Sequence, residues 1–308
     1  MCLTQNFWAF FVTGVALGAL YALIALGYTL VYGVLQLINF AHSEVFMSGA
    51  FGGLFALQAV VGSSQPHGIA SAGYVLLGIA AGGVSGGVAA WLLERVAYRP
   101  LRRRHAPPLA YLISAIGASF FALNLAGKEF GKQAVSVPTL YNNGTAFRVF
   151  GTPVQTTSII IVVATLLMLV VLDRVINATR LGQGIRAVAQ DAQTASLMGV
   201  DIDKIIVITF VLGGVFGGVA GFLYGMAFNV SFNMGFIPGL KAFTAAVLGG
   251  IGNVRGAVLG GLLLGIVESL SVACMDVKWQ NVIAFLILVL VLMIRPTGLL
   301  GERLGRAA

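Results

Sequence analysis

The chain has 308 residues, 58% of them hydrophobic and 9% charged, with 41 glycines, a mean hydropathy of +0.97 and a formal net charge of +8. A soluble domain of this size needs far more charge to cover its surface, so composition points to a polytopic α-helical membrane protein. The apolar runs are continuous rather than alternating, which argues against a membrane β-barrel, and the positive charge reads as loop residues beside a bilayer rather than a nucleic-acid surface.

In chain order the expected spans are 9–34, 45–62, 70–93, 109–126, 155–173 and 205–228, then a glycine-broken stretch 243–273, and finally 281–294. These make an all-α fold of about eight transmembrane segments with glycine-broken or re-entrant half-helices, in one membrane domain over 1–308. Residues 1–7 carry no charge that would form a basic signal region, so the first run is expected to stay in the mature protein. Cys2 and Cys274, the two cysteines, give neither a disulfide framework nor metal-ligand spacing.

Loop charge orients the spans. Arg95, Arg99, Arg102, Arg103 and Arg104 mark a cytoplasmic loop near 94–108, and Arg174, Arg180, Arg186 and Lys204 mark another near 174–204. The glycine- and asparagine-rich loop 127–154 is then external, and the tail with Arg303 and Arg306 internal. The stretch 243–273 must cross an even number of times or not at all. Its 31 residues fall short of the about 40 that two crossings need. A pair of half-helices broken at Gly249-Gly250-Ile251-Gly252-Asn253 is expected. Sidedness of the N-terminus stays open: three plain spans put it outside, a re-entrant 39–62 inside.

Asn39-Phe40-Ala41-His42-Ser43-Glu44 places an amide, an imidazole and a carboxylate between two apolar runs. An interfacial turn with hydrated side chains would explain it. The apolar flanks favour a break near a pathway, where Asn39, His42 and Glu44 meet substrate or another subunit. His42 and Glu44, two apart, do not share a helix face, and nothing nearby completes a metal site. The segment 249–256 holds Gly249, Gly250, Gly252, Asn253 and Arg255. Close helix packing accounts for its glycines but not for Arg255, and a half-helix N-terminus there could receive a carboxylate. Its likeness to the 39–44 region suggests an internal repeat. Glu268 either pairs with a cation or reaches the interface. In 180–204, Arg186, Ala187, Ala189, Asp191, Ala195 and Gly199, with Leu197 and Met198, suit a short helix that docks on a partner. None of the five lysines completes a phosphate-binding loop, and no nucleophile–base set stands out, so any ATP is used by another subunit.

Several segments together resemble one family. They are Ile38-Asn39-Phe40-Ala41-His42 with Glu44, Glu94-Arg95-Val96-Ala97-Tyr98-Arg99-Pro100-Leu101-Arg102, Leu112 through Gly117, Lys241 through Gly252, and Arg295-Pro296-Thr297-Gly298. Nearly end to end, the chain resembles the H-type permease subunits of bacterial branched-chain amino-acid ABC importers. The resemblance implies a non-catalytic inner-membrane subunit that passes leucine, isoleucine and valine. It implies as partners a second homologous permease, two ATP-binding cassette subunits and a periplasmic substrate-binding protein, with no cofactor on this chain and no nucleic acid. It makes the loop around Ala189, Asp191, Ala195 and Gly199 the site of ATPase coupling, with Ala189-Gln190-Asp191 where many importers have Glu-Ala-Ala. Permeases for urea and short amides share this architecture and stand as the alternative substrate class. A self-sufficient secondary transporter or channel, relaying protons through His42, Glu44 and Glu268, is the other rival.

Overall fold

The computed structural model describes residues 7–61, 69–138, 145–149, 151–273, 276–295 and 297–301. Cys2, Cys274, Pro296, Arg303 and Arg306 lie outside them. Helix α1 (Phe7–Leu35) stops at Gln36, whose φ of 54° leaves the helical region. After a six-residue break, α2 (His42–Val61) begins inside the bundle. Helix α3 (Ile69–Leu93) runs through a π-helical turn, Glu94–Tyr98, into α4 (Arg99–Arg103). Helix α5 (Pro108–Glu129) opens on proline, whose missing N–H costs nothing in a first turn.

Strands β1 (Thr145–Val149) and β2 (Thr152–Gln155) form an antiparallel hairpin within the loop read as external. Then come α6 (Thr156–Ala178) and two short helices, α7 (Arg180–Gln190) and α8 (Ala192–Leu197), each capped by a side-chain oxygen, from Thr179 and Asp191. Helix α9 (Ile202–Phe228) ends at Asn229, with φ 81°. It is followed by α10 (Phe236–Gly249), α11 (Val254–Val272), a 3₁₀ turn Val277–Trp279 and α12 (Gln280–Ile294). Among the described residues, eight helical stretches are long and apolar enough to cross a bilayer; α10, about 21 Å long by helix rise, is not one of them.

Small residues hold the bundle. Gly14 and Gly18 of α1 face Gly261 and Gly265 of α11, and a Cβ at Gly18 would run into the backbone of Gly261 and Leu262. Gly218 of α9 is pressed between Gly49 of α2 and Gly82 and Gly86 of α3. Inside lipid, apolar burial gives helices little reason to associate, so close backbone approach and dispersion carry the packing.

Apart from Arg148 in the hairpin, the described arginines gather at one end. Val31 and Val34, late in α1, share a cluster with Tyr98, Ile185, Val188 and Ala195. Arg255 pairs with Asp173 at the foot of α6, and the backbone N–H of Leu300 donates to the Gly249 carbonyl. Phe7 therefore lies at the opposite end, as three plain spans before the arginine cluster require.

The broken pair differs from expectation in depth. Gly252 lies beside Gly33 near the end of α1, so the glycine break sits at the arginine-rich end of the bundle. Helix α11 then spans, and only α10 is half-length. The missing half of its crossing is the non-helical segment 229–235. The packing that mirrors the 39–44 region is not at 249–256. Helix α1, the break 36–41 and α2 correspond to α9, the break 229–235 and α10, running in the opposite direction. Accordingly α1 packs on α11 as α9 packs on α3, and α1 meets α10 as α9 meets α2.

Leucine at Gly18 or Gly265 is expected to abolish a monodisperse peak in detergent size-exclusion chromatography, since overpacking costs about 1–3 kcal/mol before any backbone collision is counted. Gly73→Leu, where a Cβ meets nothing within 4 Å, should elute as wild type.

Candidate functional site

The break before α2 is folded around its own polar groups. Asn39 is buried, and its Oδ1 accepts from the Ala41 N–H and from the Tyr98 hydroxyl, each at 3.1 Å. His42 is buried edge-on to Tyr28, ring centroids 4.7 Å apart, in space left by Gly27 of α1 and Gly217 of α9. Glu44 turns the other way: its Oε1 accepts from Ser119 of α5 at 3.1 Å and lies 3.3 Å from the Ser43 hydroxyl. Gly235 and Gly239, at the start of α10, rest against Ser43. Gly217 and Gly221 of α9 lie against His42 and the Phe46 carbonyl, about 16 Å and about 10 Å of helix from Phe228, so α2 and α10 both begin well inside the bundle and meet end to end.

The second candidate segment is built differently. Gly250 and Gly252 take φ of 105° and 95°, open to glycine and strained for other residues. Asn253 caps α11, its Oδ1 accepting from the N–H groups of Arg255 at 3.0 Å and Gly256 at 3.1 Å, while its amide donates to the Leu300 carbonyl at 2.9 Å. The N-terminus read as a carboxylate receptor is thus already occupied by a side chain. Arg255 is exposed, 3.6 Å from Asp173, and Gly249 packs on Gly256. The two segments do meet. A small cleft is lined by Tyr28, Tyr32, Ile38, Asn39, Phe243 and Ile251, bringing Asn39 against the glycine break. His42, Glu44 and Arg255 stand away from that lining.

Sequence reading left Glu268 open and passed over its partner. Glu268 is fully buried, and its Oε1 lies 2.6 Å from Lys241 Nζ of α10. The same oxygen accepts from the Tyr21 hydroxyl at 3.1 Å and from the Gln280 amide. Tyr21 is on α1, Glu268 in the last turns of α11 and Gln280 the first residue of α12, so the cluster ties α1, α10, α11 and α12 together toward the end of the bundle away from the arginines. The signal was present: a lysine inside an apolar stretch is an intramembrane charge that needs a partner. Beginning that span at residue 243 left Lys241 in a loop.

Helices α7 and α8 lie across the arginine-rich end. Gly182, Ile185 and Val188 face inward, three apart, with Ala195 buried beside them, while Arg186 turns outward and donates to the Ile176 carbonyl. Ala187 and Ala189 are half-buried. Asp191 accepts from the Thr194 hydroxyl and from the N–H groups of Thr194 and Gln193, which hold its carboxyl below the usual aspartate range. The cap is therefore fully ionised at neutral pH; its contribution would fade only as pH falls below the ordinary aspartate value of 3.8. Beyond it Leu197 and Met198 are 88% and 81% exposed, and Gly199 turns the chain with φ 86°. Among the described residues no group of three or more His, Cys, Asp or Glu side chains could hold a metal.

Half-length and interrupted helices around buried polar groups, in a multi-pass bundle, are the construction of a membrane permease. Residues 10–292 match the family model described as the permease component of branched-chain amino acid transport systems, and the chain belongs to that family. It is 43% identical over 295 residues to the high-affinity branched-chain amino acid transport system permease protein LivH of Escherichia coli K12, with 94% of each chain covered. Identity to the LivH protein of Salmonella typhimurium is 41%, and to the permease protein BraD of Pseudomonas aeruginosa 40%, each again over 94% of both chains. No solved structure matches.

Breaking the buried pair from one side should be costly. Lys241→Met leaves an uncompensated carboxylate and is expected to destabilise by about 3–5 kcal/mol, whereas Lys241→Met with Glu268→Leu should recover most of that loss. Thermal unfolding in detergent would read the difference. Equal loss in the single and double variants would contradict the pairing.

Proposed function

We propose that this chain is the membrane-spanning subunit of an ATP-driven importer that passes branched-chain amino acids across the bacterial inner membrane. The observation that carries this reading is the 40–43% identity, over 94% of both chains, to permeases named for that transport. On this reading the arginine-rich end faces the cytoplasm, as the positive-inside rule directs. The chain acts with a second homologous permease, two ATP-binding cassette subunits and a periplasmic substrate-binding protein. It binds no cofactor and does no chemistry itself; ATP is hydrolysed on the partners.

Helices α7 and α8 would then be the docking surface for an ATPase. Leu197 and Met198 give it an exposed apolar tip, and Asp191 and Gly199 fix the tip's shape. Closure of the ATPase pair would move this surface as a rigid body and change access to the pathway. Near the breaks, Tyr28, Ile38, Phe243 and Ile251 supply the apolar contact that a leucine side chain needs. In this arrangement Asn39 stands beside the route, while His42 and Glu44 brace the start of α2 against α1, α9 and α5.

The test is uptake of radiolabelled leucine by vesicles holding the whole importer. ATP-dependent uptake, competed by valine and isoleucine, is the expected result. Competition by urea or acetamide instead would move the substrate class to amides. Uptake by this chain alone, without ATP, would overturn the importer reading. Asp191→Lys and Gly199→Val are each expected to lower leucine-stimulated ATP hydrolysis about tenfold, as one lost cap or one strained residue at an interface permits, while the chain still inserts.

A further inference from the structure

The segment Glu94–Arg102 serves the reading above only through the charge that orients the bundle, yet its side chains join both regions on which that reading rests. The helix widens at Glu94–Tyr98 into a π-helical turn, a feature that often marks functional positions. Below the turn, Arg102 donates from Nη2 to the buried Glu94 and from Nε to Asp203 in the first turn of α9, both at 2.9 Å. At the C-terminal end of the turn the Tyr98 hydroxyl, on a ring only 1% exposed, donates to Asn39 Oδ1 at 3.1 Å. That ring lies 5.0 Å from Phe210 of α9 and 5.9 Å from Tyr111 of α5, and it belongs to the same cluster as Ile185 and Val188 of α7 and Ala195 of α8.

We propose that Tyr98 is a positioning residue for transport: its hydroxyl keeps Asn39, and with it the start of α2, in step with α7, α8 and α9, while Arg102 anchors the π turn to α9. This rests on the importer reading. Asn39 Oδ1 has two donors of different kinds. The Ala41 N–H is two residues away and stays with the local turn, whereas the Tyr98 hydroxyl comes from 59 residues away and ties that turn to the arginine-rich end. Phenylalanine at 98 removes this link and keeps the ring packing. Because Asn39 retains its Ala41 donor, the change leaves no orphaned acceptor.

The experiment uses the complete importer in liposomes, with leucine uptake and ATP hydrolysis measured together. In Tyr98→Phe the leucine moved per ATP should fall about two- to tenfold, the range set by one buried hydrogen bond. The yield of assembled complex and the half-saturating leucine concentration should stay at wild-type values, which a general packing defect would not allow. Arg102→Lys, which keeps the charge but loses the two-way fork, should lower the same ratio. The double variant should be no worse than the poorer single, since both side chains act in one chain of contacts. A wild-type ratio in Tyr98→Phe, or additive losses in the double variant, would overturn the proposal. If Tyr98→Phe does not assemble, Asn39→Ala reads the other half of the bond, and a wild-type ratio there overturns it too. A wild-type complex without ATP-dependent uptake refutes the importer reading itself; one that transports while Tyr98→Phe matches it refutes only the role of Tyr98.

Discussion

A helix in a bilayer gains little by hiding an apolar face, because lipid is as apolar as its neighbour. This chain answers with backbone contact. Glycines let α1 lie on α11 and let α9 lie on α2 and α3 closely enough that a methyl group in either seam would collide. Helices α5, α6 and α12, with few such seams, present most of their surface outward and are held by isolated polar ties. These include Ser119 on Glu44 for α5, Thr165 on the Ala19 carbonyl for α6 and Gln280 on Glu268 for α12. Each tie reaches a residue in one of the glycine-packed helices.

Once the seams are fixed, interrupted helices become affordable. Backbone N–H and C=O groups freed inside a bilayer must find partners in the protein. At the start of α2, the N–H of His42 donates to the Asn39 carbonyl and that of Glu44 to the Ala41 carbonyl, while the Ser43 hydroxyl donates to the Phe40 carbonyl. At the other break, Val230 pairs with Val135 through both backbone hydrogen bonds. The inverted correspondence of α1–α2 with α9–α10 places these two interruptions so that their helices start against each other, Gly235 on Ser43. Two helix N-termini converge there, and the polar residues of 39–44 fill the space around them.

What the sequence made legible follows the range of the interactions. Apolar runs gave seven plain spans near their true places because span length is local. Asn39–Glu44 was readable as a break because three polar side chains stand together between apolar runs. Depth was not readable: counting crossings fixes their parity and says nothing of how far the Gly250–Asn253 turn lies along the helices. The segment 229–235, where Asn229, Ser231, Asn233 and Gly235 alternate with Val230, Phe232 and Met234, falls between two expected spans, and nothing local shows that it dips back into the bundle. The hairpin over 145–155 was masked in turn by the glycines and asparagines around it. Who pairs with whom across the fold was not local: Lys241 stands out inside an apolar stretch, but nothing beside it names Glu268, and Tyr98 and Asn39 are 59 residues apart.

Two buried ion pairs differ in their access to water, and the difference accounts for their partners. At the arginine-rich end Arg102 is 18% exposed and is shared between Glu94 and the half-exposed Asp203, so part of its charge is still met by water. Away from that end, Lys241 and Glu268 have almost no exposure and are matched one to one, with Tyr21 and Gln280 donating to the same carboxylate. Removing two charges from water costs several kcal/mol per ion, which attraction repays only when geometry and extra donors are good. A hydrophobic pair would pack α10 onto α11 without that cost, but it would not choose one rotation of a helix whose faces are nearly all apolar. The ion pair does. It holds α10 so that Gly235 and Gly239 face Ser43 on one side and Gly249 faces Gly256 on the other, and the short helix is thereby aligned with both breaks at once.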